Sequence, residues 1–161
     1  MLRGTFQIEV GFSASGDGRL LMLNGWSQPE PQYTFNNGNE ARLVLPKLVD
    51  SARYELSIDV WPFVVRDRLP VQRLEVIVRG TQVMQAVAEN GQRRIMRCEI
   101  PPHVVDGCES VDVLLRFPDA AAPINVTDGS RDTRTLAFAF FGIRFAGHSN
   151  DREAAPPPET G

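Results

Sequence analysis

The segment "LNGWSQPEPQYTFNNG", Leu23 to Gly38, brings an indole (Trp26), a carboxylate (Glu30) and a phenol (Tyr33) into one short, turn-rich stretch. Prolines at positions 29 and 31 force an extended path and hold Glu30 between them. Rings that stack on apolar faces, beside groups that bond hydroxyls, are the chemistry of a sugar site. A guanidinium from further along the chain, Arg134, completes the set of candidate ligand-binding residues: Trp26, Glu30, Tyr33 and Arg134. The competing reading is structural: Trp26 caps the core and Glu30 pairs with an arginine. Both stay open at this level.

The remaining chemical inventory is thin. The two histidines, His103 after Pro-Pro and His148 near the end, have no metal-ligand spacing. No nucleophile elbow, Walker loop or dinucleotide-binding glycine motif is present, and Gly16-Asp17-Gly18 has no helix after it to make a phosphate cradle. In "DGSRDTR", Asp128 and Asp132 lack the third carboxylate and the glutamate of a calcium loop, so internal charge pairing is the expectation. No catalytic residue, metal or cofactor is predicted. Cys98 alternates with outward-facing neighbours in "RRIMRCEI" and reads as a core residue, unpaired with Cys108.

The elements that must position these groups are strands. "RYELSIDV" alternates Tyr54, Leu56, Ile58 and Val60 against Arg53, Glu55, Ser57 and Asp59. The same period appears in "ARLVLP", "RLEVIVRG", "VDVLLRF" and, near the start, Phe6, Ile8 and Val10. In "TLAFAFFGIRF" the pattern slips by one residue after Phe141-Gly142, which predicts a β-bulge. Ala137 and Ala139 on the opposite face imply that this face is covered too. Asn-Gly, Arg-Gly and Asp-Gly pairs punctuate the runs, and Asn90-Gly91 reads as a hairpin turn. "PPHVVDG" has room for one helical turn. The prediction is an all-β, antiparallel, jelly-roll-like sandwich of eight to ten strands over residues 1–147. From 148 to 161 the chain turns polar and Pro-rich and reads as a disordered tail.

With 161 residues, 42% of them hydrophobic, the chain is long enough to bury a core without metals or disulfides. Its net charge of −3 and lack of a Lys/Arg run argue against nucleic acid as a partner. No apolar run has the length of a signal peptide or a membrane span, so a cytoplasmic location is expected.

"NGWSQPEPQYTFNNGNEARLVLP" resembles a segment of bacterial β-sandwich accessory domains associated with glycosyltransferases and surface-polysaccharide biosynthesis. Gly25, Trp26, Pro29, Glu30, Tyr33, Thr34, Gly38, Ala41, Leu43 and Leu45 carry the match. Asp132, Arg134 and Leu136 follow the same family's later Asp-x-Arg-x-Leu-Gly pattern, with Ala137 in place of Gly; Tyr33 stands where Trp is usual. The likeness runs from about Gly11 to Phe145. It implies a noncatalytic module that binds glycan or assists a polysaccharide or glycosyl-transfer system, with no catalytic residue to carry over. The alternative is a protein-interaction or homo-oligomerisation module, for which the small residues Ala137 and Ala139 would offer a flat packing face. Arg134, at the mouth of a very apolar strand, is expected to be substantially buried and bonded to Glu30 or to backbone carbonyls of the "GWSQPEP" loop.

Overall fold

The computed structural model describes residues 7–149. It contains nine strands: β1 (Gln7–Gly11), β2 (Thr34–Phe35), β3 (Glu40–Pro46), β4 (Arg53–Pro62), β5 (Gln72–Val78), β6 (Thr81–Ala88), β7 (Arg94–Ile100), β8 (Ser110–Arg116) and β9 (Phe138–His148). Two single-turn helices, α1 (Pro102–Val105) and α2 (Pro123–Val126), lie in the connections. The first is the turn expected from "PPHVVDG"; the second was not anticipated. Among the described residues no helix is long and apolar enough to cross a membrane.

The strands form two antiparallel sheets. One has the order β1-β9-β4-β7, with β2 also paired to β9; the other is β3-β8-β5-β6. The chain changes sheet at most connections, which gives the predicted jelly-roll-like sandwich. The inward phases of β3, β4, β5 and β8 are those read from period-two alternation: Ala41, Leu43, Leu45; Tyr54, Leu56, Ile58, Val60; Leu74, Val76, Val78; and Val111, Val113, Leu115 are all buried. Five phenylalanines, Phe12, Phe117, Phe138, Phe140 and Phe145, fill the space between the sheets and are among the largest fully buried side chains. Each contributes about 1.5–3 kcal/mol relative to an exposed ring. Ile8 and Val10 are half-buried and pack on the same core; Phe6, and the tail from residue 150, lie outside the described residues. β9 itself runs on to His148, which pairs with Arg53.

The β9 bulge falls where the sequence placed it. Asp59 faces Gly142 and Val60 faces Phe140, so Phe141 is the extra residue. Asn90-Gly91 departs from expectation. It does not close a hairpin, because β6 is an edge of one sheet and β7 an edge of the other. Gly91 also lacks the positive φ that a tight primed turn needs. The hairpin is one connection earlier, at Arg79-Gly80, where φ is 48° and 89° and β5 pairs directly with β6.

Ala137 and Ala139 are fully buried, so the second face of β9 is covered as inferred. The cover is the chain itself: Ala139 stands between Phe35 of β2 and Trp61 of β4 in one cross-strand row. This strip is therefore not the open, flat face from which self-packing was expected.

Candidate functional site

The Leu23–Tyr33 loop is held to the sandwich by backbone bonds at close intervals. Leu23 N–H donates to the Arg42 carbonyl, Arg42 N–H to Asn24 and Ser27 N–H to Phe35. Glu30 is fixed from both sides: its N–H donates to the Tyr33 carbonyl at 2.7 Å and its carbonyl accepts from Ala14 at 2.8 Å. Trp26 turns inward. Its ring lies 5.7 Å from Phe12 and edge-on to Phe140 at 5.0 Å, and its Nε1–H donates to the Arg42 carbonyl at 3.0 Å. These are the contacts of a core cap with one bonded polar tip.

Arg134 is half-buried rather than substantially buried. Its chief partner is Asp132, two residues away, through bonds of 3.0 Å from Nε to Oδ1 and 2.6 Å from Nη2 to Oδ2. The expected tie to the loop exists in a lesser form: Nη1 donates to the Ser27 hydroxyl at 2.8 Å and lies 3.6 Å from a Glu30 oxygen. Asp132 wins because its backbone already delivers it to the guanidinium, and its side chain also accepts from the Arg134 N–H. The hydrogen bond from Arg134 holds the Asp132 carboxyl below the usual carboxylate range. Asp128 pairs with Arg68, at 3.0 Å. Both carboxylates of this loop are thus paired with arginines, Asp132 within the loop and Asp128 outside it, and no cluster of metal-ligating side chains occurs among the described residues.

The stronger clamp between the loop and β9 is Asn36, which sequence reasoning missed. It is fully buried. Its Oδ1 accepts from Ala137 at 2.7 Å and Phe138 at 2.9 Å, while its Nδ2–H donates to Gly38 at 2.8 Å and Thr135 at 3.3 Å. Nearby Thr34 donates its hydroxyl to the Phe12 carbonyl at 2.6 Å. Strand alternation then sends Thr34 and Asn36 inward and Tyr33 and Phe35 outward.

Outside the five-stranded sheet, Tyr33 meets Phe35 and Phe141 at 5.4 Å each and Trp61 at 6.1 Å, all edge-to-face. Trp61 is 43% exposed, the most accessible large aromatic described. With Phe35, Pro62, Phe63 and Val64 it lines a cleft of about 250 Å³. Two guanidinium groups border the rings. Arg93 lies 3.6 Å over the centre of Phe141 while its fork binds both oxygens of Asp59 at 2.9 Å, and Arg134 lies 5.5 Å from the centre of Phe35. Three of the four candidates, Glu30, Tyr33 and Arg134, therefore gather on this outer side around Phe35, and Trp26 faces the core behind them. Trp61, Phe35, Phe141 and Arg93 were absent from the candidate set. A signal existed for Trp61: it occupies the outward phase of β4, where an apolar ring has no core to enter.

The other reactive side chains stand apart from this surface. His103 is exposed in α1, and His148 ends β9 with Nε2 3.9 Å from Glu55. Cys98 and Cys108 are both free and buried, as expected of Cys98; burial first, and the Glu55 charge second, push its thiol up to about 11.

No family model matches the chain, and no curated protein does. Solved structures share its fold. A family GH115 4-O-methyl-alpha-glucuronidase with specificity for decorated arabinogalactans, BtGH115A, aligns over 91% of this chain and 18% of its own, with 9% identity and a TM-score of 0.54. Dimeric latent PorU from Porphyromonas gingivalis aligns over 91% of this chain and 13% of its own, with 9% identity and a TM-score of 0.50. The CBM36-1 domain of a multidomain xylanase, from the hindgut metagenome of Trinervitermes trinervoides, aligns over 89% of this chain and 98% of its own, with 9% identity and a TM-score of 0.49. The chain thus spans under a fifth of the two larger proteins, and what it shares with them is the β-sandwich fold.

Proposed function

We propose that this chain is a noncatalytic glycan-binding module, and that its binding platform is the outer aromatic surface of Tyr33, Phe35, Trp61 and Phe141. One observation carries the reading: an exposed Trp packed edge-to-face on Tyr33, whose ring is itself held edge-to-face by Phe35 and Phe141, on a sheet face bordered by paired arginines. The cluster keeps Trp61 in place before a ligand arrives, so little ordering entropy is lost on binding. Its indole face can take the apolar face of a sugar ring, and the Arg93–Asp59 and Arg134–Asp132 pairs supply donors and acceptors for hydroxyls. Within this proposal Tyr33 and Arg134 belong to the ligand surface. Glu30 helps hold Arg134, and Trp26 secures the loop from the core side. The glucuronidase that shares the fold is specific for a decorated arabinogalactan, and the sequence resembles accessory domains of glycosyl-transfer systems. Both support a module that serves a larger glycan-handling apparatus.

The test is a glycan array followed by titration calorimetry on the best-binding glycan. Trp61→Ala is expected to weaken binding at least tenfold, about 1.4 kcal/mol, with an unchanged circular dichroism spectrum. Trp26→Ala should instead lower the melting temperature. Unchanged affinity in Trp61→Ala would remove the platform from the proposal, and failure of every glycan to bind would overturn it. Recovery of a dimer whose assembly depends on Trp61 would favour the protein-interaction alternative.

A further inference from the structure

We propose that, beside the aromatic platform, the same sheet face carries a subsite for the carboxylate of an acidic sugar, formed by Ser57, Arg97 and Arg144. The inference rests on the glycan reading above and names the class of glycan. Ser57 lies in the outward phase of β4. Its cross-strand partners are Arg144 on β9 and Arg97 on β7, so the three side chains stand in one row on one face. Ser57 is 8% exposed, and its hydroxyl has no hydrogen-bond partner among the described residues. A buried hydroxyl without a partner costs free energy that a bound acceptor would recover.

The charges around it leave a cation available. Both oxygens of Asp59 are taken by Arg93. Glu55 is shared between Arg144 and His148, each at 3.9 Å. Arg144 also donates to the Gln7 side chain at 3.0 Å, which leaves other N–H groups of its guanidinium free. Arg97 is exposed and no hydrogen bond or ion pair engages it among the described residues. Gly142, opposite Asp59, contributes no side chain, and a hollow of about 150 Å³ opens there, lined by Ser57, Arg97, Arg144 and Gly142 among others. A planar carboxylate suits this arrangement: one oxygen accepts the serine O–H, the other a guanidinium. Glu9, at the β1 end of the row, is the opposing charge, and it weakens the subsite without closing it.

Ser57 and Trp61 are four residues apart on one strand and one face, about 13 Å. That is further than a single pyranose ring reaches. An oligosaccharide lying along β4 would place one ring on Trp61, cross the Arg93–Asp59 pair, and bring the carboxylate of a later residue to Ser57.

The experiment is an array holding uronic-acid, sulfated and neutral glycans, with calorimetry on the best uronic-acid glycan and on the same glycan after methyl-esterification of its carboxyls. Binding is expected to concentrate on the uronic-acid glycans. Methyl-esterification and Arg97→Gln should each weaken it about tenfold, the loss of one charge-assisted bond. Ser57→Ala should also weaken it, and Glu9→Gln should tighten it two- to threefold or so at low salt. Arg97 is exposed, so its variant reports on binding without disturbing the fold. Equal binding of neutral and acidic glycans, indifferent to Arg97→Gln, would overturn the subsite and leave the platform standing. Preference for sulfated over carboxylated glycans would overturn the carboxylate assignment. Absence of any glycan binding would overturn both readings together.

Discussion

A buried side chain that satisfies several backbone groups at once outweighs a charged pair at the surface, and Asn36 and Arg134 set that rule in opposition within one loop. Removing Asn36 leaves the buried N–H groups of Ala137 and Phe138 without acceptors. At roughly 1–3 kcal/mol for each stranded donor, Asn36→Ala should cost about 3 kcal/mol, a fall of roughly 6–12 °C in melting temperature. Arg134→Ala breaks a half-exposed pair and should cost only about 1 kcal/mol. Thermal melts of the two variants decide which residue locks the loop; equal losses would show that Asn36 is not the clamp. The sequence led to the wrong member of this pair for a physical reason. Asn36 stands in "FNNGN", where asparagine reads as a turn former, and only the arrival of β9 reveals its amide as an internal bracket. The charged Arg134 drew attention because a guanidinium near an apolar strand must find a partner. It does, but the nearest carboxylate along the chain is enough.

At the scale of elements, periodicity reported faces well and partners poorly. The inward sets of β3, β4, β5 and β8, and the slip at Phe141-Gly142, follow from side-chain alternation alone. Which sheet a strand joins does not, and so Asn90-Gly91 looked like a hairpin while in fact carrying the chain from one sheet to the other. The outward phase of Trp61 was equally legible, yet it acquires meaning only when β2 and the bulge bring Tyr33, Phe35 and Phe141 beside it. The loop that delivers Tyr33 depends on Gly25. Its φ is +92°, and a Cβ there would lie 2.2 Å from the Glu40 carbonyl oxygen and 2.6 Å from the Ala41 Cα. Both are backbone atoms of β3 and cannot step aside. Gly25→Ala should therefore cost about 3 kcal/mol or more, read from the urea midpoint. It should also loosen Trp26, whose indole bond goes to the same strand; a midpoint unchanged from wild type would mean that the loop has another path.

For the whole molecule, acid is the condition that tests the ion pairs. The hydrogen bond from Arg73 holds the Asp119 carboxyl below its ordinary value, and Arg134 does the same for Asp132. A depressed carboxyl stabilises the fold fully above the unfolded value, near 3.8. Below it the unfolded chain takes up protons that the native chain refuses, and the contribution disappears as pH falls through the folded value. Melting temperature should thus decline below about pH 5, and Asp119→Asn should flatten that acid limb while lowering stability at neutral pH. A limb as steep as wild type's would assign the acid sensitivity to other groups. The central position of β9 has a further consequence, for how the molecule is made. This strand supplies a partner for β1, β2 and the whole length of β4, so residues 7–11 wait for residues 142–146 before they can pair. During synthesis the β3-β8-β5-β6 sheet can pair once β8 is out, but its apolar face has no complete layer to pack on, because the five-stranded layer, with Phe141 and the floor beneath Trp61, closes only after Phe138–His148 have emerged from the exit tunnel. A nascent chain arrested before β9 should remain open to protease, and one arrested well beyond it should resist.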